Sequence, residues 1–459
     1  MHNFHPSIIR EYDIRGIIDE TLNTTDALAI GRAFGTIVRR GGGSKVAVGY
    51  DGRTSSPDLA AAIIKGLRAS GVTAYAVGLG PTPMLYFAAY TLPVDGGIMI
   101  TGSHNPGNHN GFKLVHNRQA FFGAQIQQID DLARTGDLES GEGDLIEHPI
   151  FDDYIKRLLE EVSFDKDDFK VVWDAGNGAA GDAMVALTNA LPGKHTLLFA
   201  DIDGSFPNHH PDPTVPENLV DLQKAIAEQK ADLGIAFDGD GDRIGVVDEE
   251  GEILWGDQIM LFLAKGVLRD LPGATIIADV KASQILFSEV EKAGGNPVMW
   301  KTGHSHIKSK MIELDAPFAG EMSAHLFFAD RYYGYDDALY AAVRVLNLIA
   351  EEGISLAEFR KSLPQAVNTP ELRFECDETR KFAVVEEVAA RLASANADVV
   401  SVDGVRVNTA DGWWLLRASN TQAVLVARCE ASTDAGLQRL KDQLASQLSL
   451  SQVDMPSQR

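Results

Sequence analysis

Lys45-Val46-Ala47-Val48-Gly49-Tyr50 runs directly into Asp51-Gly52-Arg53-Thr54, and this stretch sets the pattern for most of the chain. Six mainly apolar residues are a strand's length, and the polar glycine turn that follows ends the strand. A helical pattern then runs from Pro57 to about Ser70. Another apolar run and another helix lead to a strand over Gly97–Thr101, which ends in Gly102-Ser103-His104-Asn105-Pro106. The same rhythm returns where Lys170–Asp174 meets Ala175-Gly176-Asn177-Gly178, and where Leu233–Phe237 meets Asp238-Gly239-Asp240-Gly241-Asp242. It returns a third time in Thr275–Asp279 before Val280-Lys281-Ala282-Ser283, and in Pro317–Gly320 before Glu321-Met322-Ser323.

Buried strands alternating with helices imply βαβ units, with helices covering both faces of the sheets. Ligands of such folds collect beyond the carboxyl ends of the strands, where these polar turns lie. Past about residue 365 the style changes: Asp411–Arg417 and Ala423–Cys429 read as strands flanking a polar turn, and Thr433–Leu450 reads as a helix. The expected architecture is three related α/β domains with mixed sheets plus a C-terminal α+β domain around a central cleft. Its boundaries fall at residues 1–147, 148–252, 253–365 and 366–459.

A chain of 459 residues exceeds one hydrophobic core, consistent with domains of ~100–200 residues each. Its 45% hydrophobic content excludes disorder, and the formal charge of −24 argues against a nucleic-acid partner. An acidic surface still admits a small phosphorylated ligand wherever a few basic groups converge. Cys376 and Cys429 are too few to staple a protein this size and lack metal-binding spacing. The start, Met1-His2-Asn3-Phe4-His5-Pro6, lacks the apolar run expected of a signal peptide, and no apolar stretch is long enough to span a bilayer. The expectation is a cytoplasmic protein with no membrane partner.

Four turns can carry chemistry. In Asp238-Gly239-Asp240-Gly241-Asp242-Arg243, three carboxylates at alternate positions can turn inward together, a hard-oxygen set suited to magnesium or calcium. An EF-hand loop would place glycine at its sixth position; here that position is Arg243, and the flanks LGIAF and IGVV read as strands. An acidic surface turn without an ion is the plain alternative. Thr101-Gly102-Ser103-His104-Asn105-Pro106 places a serine after a buried strand as a nucleophile would be placed, though it lacks the outer glycines of the hydrolase elbow. Arg417-Ala418-Ser419-Asn420-Thr421 combines a guanidinium fork with compact donors that suit a phosphate dianion, although Ser-Asn-Thr is also ordinary turn chemistry. In Gly320-Glu321-Met322-Ser323-Ala324-His325, Glu321 and Ser323 can bond sugar hydroxyls and His325 can move protons near neutral pH.

Taken together and in this order, the turns resemble the α-D-phosphohexomutase family, in its bacterial phosphomannomutase/phosphoglucomutase branch. The resemblance extends from Glu11-Tyr12-Asp13-Ile14-Arg15-Gly16 to the Arg417–Thr421 turn. It implies a mutase that interconverts hexose 1-phosphate and hexose 6-phosphate, of glucose and mannose, through a phosphoserine at Ser103 and a hexose 1,6-bisphosphate intermediate. Mg2+ is then bound by Asp238, Asp240, Asp242 and a phosphate oxygen on Ser103, with glucose 1,6-bisphosphate as activator. By the same resemblance Arg243 and His104 flank that phosphate, and Tyr12, Arg15 and Lys113 line the site. Lys281 and His304 contact substrate, Glu321 and Ser323 read the sugar, and Arg417, Ser419, Asn420 and Thr421 hold the phosphate that is not reacting. Proton transfer is expected of Lys113 and His325, and the fourth domain is expected to move as a lid over a monomer or weak oligomer.

Three positions depart from the family pattern: Ala324 replaces a usual glycine, Ala423 a frequent proline and Arg406 a common lysine. Phosphoglucosamine mutase is the neighbouring reading, although its sugar loop more often carries glutamine where Met322 stands. A silent phosphosugar-binding protein is the reading from another class, and such a binder has no need of the Ser103 nucleophile.

Overall fold

The computed structural model describes residues 1–420 and 422–454. Thr421, one of the expected phosphate-binding residues, lies outside the described residues.

Four sheets follow one another along the chain. The first is ordered Ile14–Ile17, His109–His116, Gly96–Ile100, Lys45–Tyr50, Thr73–Leu79, Leu145–Glu147, with Gln119–Ala120 paired to His109–His116. The second runs Ile253–Leu254, Ile244–Asp248, Leu233–Phe237, Lys170–Asp174, Lys194–Leu198. The third is Asn296–Trp300, Thr275–Asp279, Phe318–Gly320, Leu326–Phe328. All three are mixed: Leu233–Phe237, for example, is parallel to Lys170–Asp174 and antiparallel to Ile244–Asp248. Every residue of Leu233–Phe237 is buried, which is why an unbroken apolar run identifies this strand.

One continuous apolar cluster joins the first three units and contains Leu85, Tyr154, Trp173, Phe237, Phe262 and Leu339. Each large side chain so buried contributes about 1.5–3 kcal/mol, so this cluster ties the three units together, while each unit also keeps a smaller or separate cluster of its own.

The fourth sheet is antiparallel, with Val367–Asn368, Val424–Ala431, Gly412–Ala418, Val405–Asn408 and Asp398–Val400 in order and Leu372–Glu375 also paired to Val424–Ala431. Strand alternation divides its two faces. Trp414 and Leu416 meet helices Lys381–Ser394 and Asp434–Leu450 in a separate core, whereas Trp413 and Leu415 pack on Val280 of the third unit. Arg417 shares the parity of Trp413 and Leu415, so it lies on the face turned toward the other units.

Two buried arginines reinforce this contact. Arg406 donates to the carbonyls of Val280 (2.7 Å) and Ala282 (2.8 Å) and lies 3.7 Å over the Trp413 ring. Arg428 donates to the Lys281 carbonyl at 2.5 Å. Both carbonyl bonds of Arg406 come from Nη1, while Nη2 reaches the Gln284 side-chain oxygen at 3.2 Å, so the second nitrogen of the fork supplies a contact that a lysine's single ammonium lacks at this departure from the family pattern.

Candidate active site

The carboxyl ends of strands from the first three sheets face one another, and the fourth unit reaches the same cleft. Ser103 follows strand Gly96–Ile100 in a tight turn with φ +51°, an unusual backbone for an L residue. Its Oγ lies 3.1 Å from His104 Nδ1 and 3.4 Å from Asp238 Oδ2, which belongs to the turn between Leu233–Phe237 and Ile244–Asp248. The serine and the three-aspartate turn, 135 positions apart, are therefore neighbours.

Asp238, Asp240 and Asp242 are fully buried, and one oxygen from each falls within a 4.8 Å cluster. Mutual repulsion is relieved by Lys113, whose ammonium bonds Asp240 Oδ2 at 2.7 Å and also Asp242 Oδ2. Burial opposes the charge on Lys113, but Asp240 and Asp242 outweigh it and hold its pKa well above the ordinary lysine value. Burial and the two neighbouring aspartates raise Asp238. Asp242 is held low against burial by Lys113 and His325. Asp240 Oδ1 is buried and has no hydrogen-bond partner among the described residues. An unpartnered carboxylate oxygen within an all-oxygen cluster fits a hard divalent cation.

His325 stands opposite, with Nδ1 3.0 Å from Glu321 and Nε2 3.2 Å from Asp242. Burial works against its charge and Arg243 Nε sits only 3.3 Å from Nε2, yet the surrounding carboxylates, Asp242 foremost, prevail and push its pKa up to about 9. His325 is thus an imidazolium at neutral pH. His104 behaves oppositely: burial, then Arg243 and Arg15, push its pKa well below the usual value, so it is neutral. His304 is also held neutral, by burial and by Lys308 and Lys113. It opens helix His304–Leu314, with its ring centroid 5.6 Å from that of His325.

Glu321 accepts the Gly303 N–H at 2.6 Å, and the Ser323 hydroxyl lies 3.2 Å from His325 Nδ1. The sugar turn rests on helix Gly256–Asp270, where a Cβ on Gly256 would meet the Met322 carbonyl oxygen at 2.5 Å. Ala324 within that turn has φ +63°, the left-handed region glycine enters freely, which gives its departure from the family pattern a conformational cost.

Tyr12 joins three units. Its hydroxyl donates to the Thr302 carbonyl (3.1 Å) and accepts from Asn420 Nδ2 (2.7 Å) across 408 positions. Arg417 pairs with Asp403 at 2.9 Å, and the Ser419 hydroxyl accepts the Gln422 N–H at 3.2 Å. Lys281 is held by Glu371 at 3.1 Å, with Asp279 at 3.9 Å. Arg15, on strand Ile14–Ile17, pairs with Asp13 and stands opposite Gly111.

Several participants have no motif of their own. Thr82 bonds Asp240. Asp336 binds Lys308 at 2.8 Å through one oxygen and places the other 3.7 Å from His304 Nδ1. Asp51 and Arg53 support the serine turn and stand in the opening Asp51–Thr54 motif, whose position after a strand was their only signal.

Comparison with known proteins agrees with this geometry. The family description phosphoglucomutase/phosphomannomutase matches in four parts: alpha/beta/alpha domain I over residues 6–139, domain II over 152–251, domain III over 255–367 and the C-terminal domain over 371–447. The chain belongs to the phosphoglucomutase/phosphomannomutase family of α-D-phosphohexomutases. A phosphomannomutase/phosphoglucomutase of Pseudomonas putida is 44% identical, with 96% of this chain and 95% of that protein covered. A phosphoglucomutase of Neisseria meningitidis is 40% identical, with 96% and 97% covered. A crystal structure of a phosphoglucomutase/phosphomannomutase family protein from Burkholderia thailandensis superposes with a TM-score of 0.94 at 43% identity, covering 99% of this chain and all of that one. Among the described residues no helix is long and apolar enough to cross a membrane.

Proposed function

We propose that this phosphohexomutase interconverts the 1- and 6-phosphates of glucose and mannose through a phosphoryl group carried on Ser103 and a hexose 1,6-bisphosphate intermediate. The observation that carries the reading is the approach of Ser103 Oγ to Asp238 within a buried cluster of three aspartates. Asp238, Asp240 and Asp242 would hold Mg2+, with an oxygen of the Ser103 phosphate as a further ligand. The ion would neutralise charge on the transferring phosphoryl group.

Around that centre, Arg243 supplies fixed positive charge, and neutral His104 hydrogen-bonds the serine oxygen. A guanidinium keeps its proton, so Arg15 contributes charge, and proton exchange with the sugar hydroxyl and Ser103 Oγ falls to Lys113 and His325. Glu321, Ser323 and His304 face the sugar, with Lys281 and Tyr12 completing its surroundings. Arg417, Ser419, Asn420 and Thr421 take the distal phosphate. The Tyr12–Asn420 bond supports this assignment by bringing their turn to the cleft mouth. The bisphosphate turns over within the closed cleft, so either phosphate can use the same distal site. We take residues 1–147, 148–252, 253–365 and 366–459 as the four domains, the last serving as the lid, of a cytoplasmic monomer or weak oligomer. Glucose 1,6-bisphosphate is the activator that charges Ser103.

The test is conversion of α-glucose 1-phosphate to glucose 6-phosphate with magnesium and a trace of the bisphosphate, repeated with mannose 1-phosphate and glucosamine 1-phosphate. Turnover of the first two that is lost with chelator and in Ser103→Ala is expected. Preference for the glucosamine ester would redirect the assignment to phosphoglucosamine mutase, and failure on all three by folded, primed protein would overturn it.

A further inference from the structure

We infer that Arg53 is the positioning residue of the Ser103 turn, holding the nucleophile in its left-handed conformation and setting its distance from the aspartate turn. The inference rests on the reading of Ser103 as the phosphoryl carrier.

Arg53 is only 1% exposed, and its whole guanidinium fork is used. Nη2 donates to the carbonyls of Ser103 (2.7 Å) and Asn105 (2.6 Å), and Nη1 to those of Pro106 (2.6 Å) and His109 (3.0 Å). Nε is anchored on Asp51 at 3.1 Å, and the same carboxylate accepts the Gly102 N–H at 3.2 Å. Thus one buried ion pair holds the backbone of the nucleophile turn on both sides of the serine.

An L residue at φ +51° persists only where its surroundings impose that backbone. Four carbonyls pointed at one planar cation are such an imposition, and three of them belong to the turn itself. A lysine offers three donors from a single point and has no planar fork to match this spread.

The Ser103 carbonyl has a second neighbour that gives the clamp its functional meaning. A Cβ on Gly239, inside the aspartate turn, would lie 2.4 Å from that oxygen. The oxygen held by Arg53 is therefore also the surface on which the aspartate turn rests. The second unit closes over the clamp from outside: the Phe206 ring lies 5.2 Å from the guanidinium carbon, and a Cβ on Gly204 would come within 2.5 Å of Arg53 Cα. Arg53 touches no reacting atom by this geometry. It acts through the backbone of Ser103.

Two variants approach the clamp from opposite sides. Arg53→Lys removes the fork. Gly102→Ala leaves the charge and places a Cβ 2.5 Å from the guanidinium carbon, at a position whose φ is not positive, so the backbone accepts alanine. Both are compared with wild type for kcat and KM on glucose 1-phosphate, thermal midpoint, and the rate at which glucose 1,6-bisphosphate phosphorylates Ser103, followed by intact mass spectrometry. Expected for each is a fall of about 10²-fold in kcat with slower charging of Ser103 and KM nearly unchanged, the signature of a misplaced reacting group. If Arg53→Lys does not fold, Gly102→Ala alone decides. Folded variants with wild-type kcat and charging rate, or a loss confined to KM or to the thermal midpoint, would overturn the inference. Wild-type protein that turns over without ever carrying phosphate on Ser103 would instead remove the reading beneath it.

Discussion

Gly239→Ala perturbs the site at the point where the serine and aspartate turns meet. The added Cβ would fall 2.4 Å from the Ser103 carbonyl oxygen, whereas real Cβ contacts do not come below 3.0 Å. Retreat of the oxygen is opposed by Arg53 Nη2, which holds it at 2.7 Å. The turns must therefore part by roughly 0.6 Å, the shortfall between those contacts, which is within the range where reacting groups lose alignment. The 3.4 Å approach of Ser103 Oγ to Asp238 lengthens, and the proposed cation site between the two turns widens with it. We expect kcat/KM for glucose 1-phosphate to fall about 10²-fold, or about 2.7 kcal/mol of transition-state stabilisation. Half-saturation should move to higher magnesium concentration. Stability should drop by only about 1–3 kcal/mol, the usual cost of overpacking. Steady-state kinetics across a magnesium series, with urea unfolding alongside, reads all three. A folded variant with kcat/KM and magnesium dependence equal to wild type would refute the argument that this backbone contact sets the separation of the two turns.

Three further expectations address other parts of the molecule. Ala324→Gly relieves an alanine at φ +63° and should stabilise the protein by up to about 1 kcal/mol in urea unfolding; a destabilised variant would contradict the strain assigned there. Glu371 is held down to about 2, chiefly by Lys281. Its folded value lies below its unfolded one, so its contribution is present above about pH 4.5 and lost as pH falls toward 2. Glu371→Gln should therefore flatten the acid limb of stability in that window, and an unchanged limb would count against the pairing. Asp240→Asn removes a proposed cation ligand and the charge that Lys113 answers. Activity should fall by at least about 10²-fold and not recover at saturating magnesium, as measured by the glucose 1-phosphate assay; full recovery would exclude Asp240 as a ligand.

The parts of the fold that were legible in sequence share one physical property. Strands buried on both faces, such as Leu233–Phe237 and Gly96–Ile100, must be continuously apolar, and the turns that end them must be rich in glycine and polar residues. The three-aspartate turn was readable because carboxylates at alternate positions after such a strand have few other purposes. Long-range pairings left no local trace. Nothing near Tyr12 announces Asn420, nothing near Lys281 announces Glu371, and the carbonyls that Arg53 binds are invisible in any side-chain pattern. Lys113 was named only through the family resemblance, and its pairing with Asp240 and Asp242 emerged only once strand His109–His116 was seen to face the aspartate turn. The positive φ at Ala324 and Ser103 likewise belongs to turn geometry, which residue type alone does not disclose.

The central claim is that Ser103 carries the phosphoryl group that substrate exchanges. Magnesium-loaded protein should be treated with glucose 1,6-bisphosphate, mapped by peptide mass spectrometry, and then chased with glucose 6-phosphate. The account predicts one phosphoryl group, on Ser103, that leaves on the chase and reappears as glucose 1,6-bisphosphate. Turnover with Ser103 unmodified throughout, or a phosphoryl group there that the chase does not remove, would contradict it.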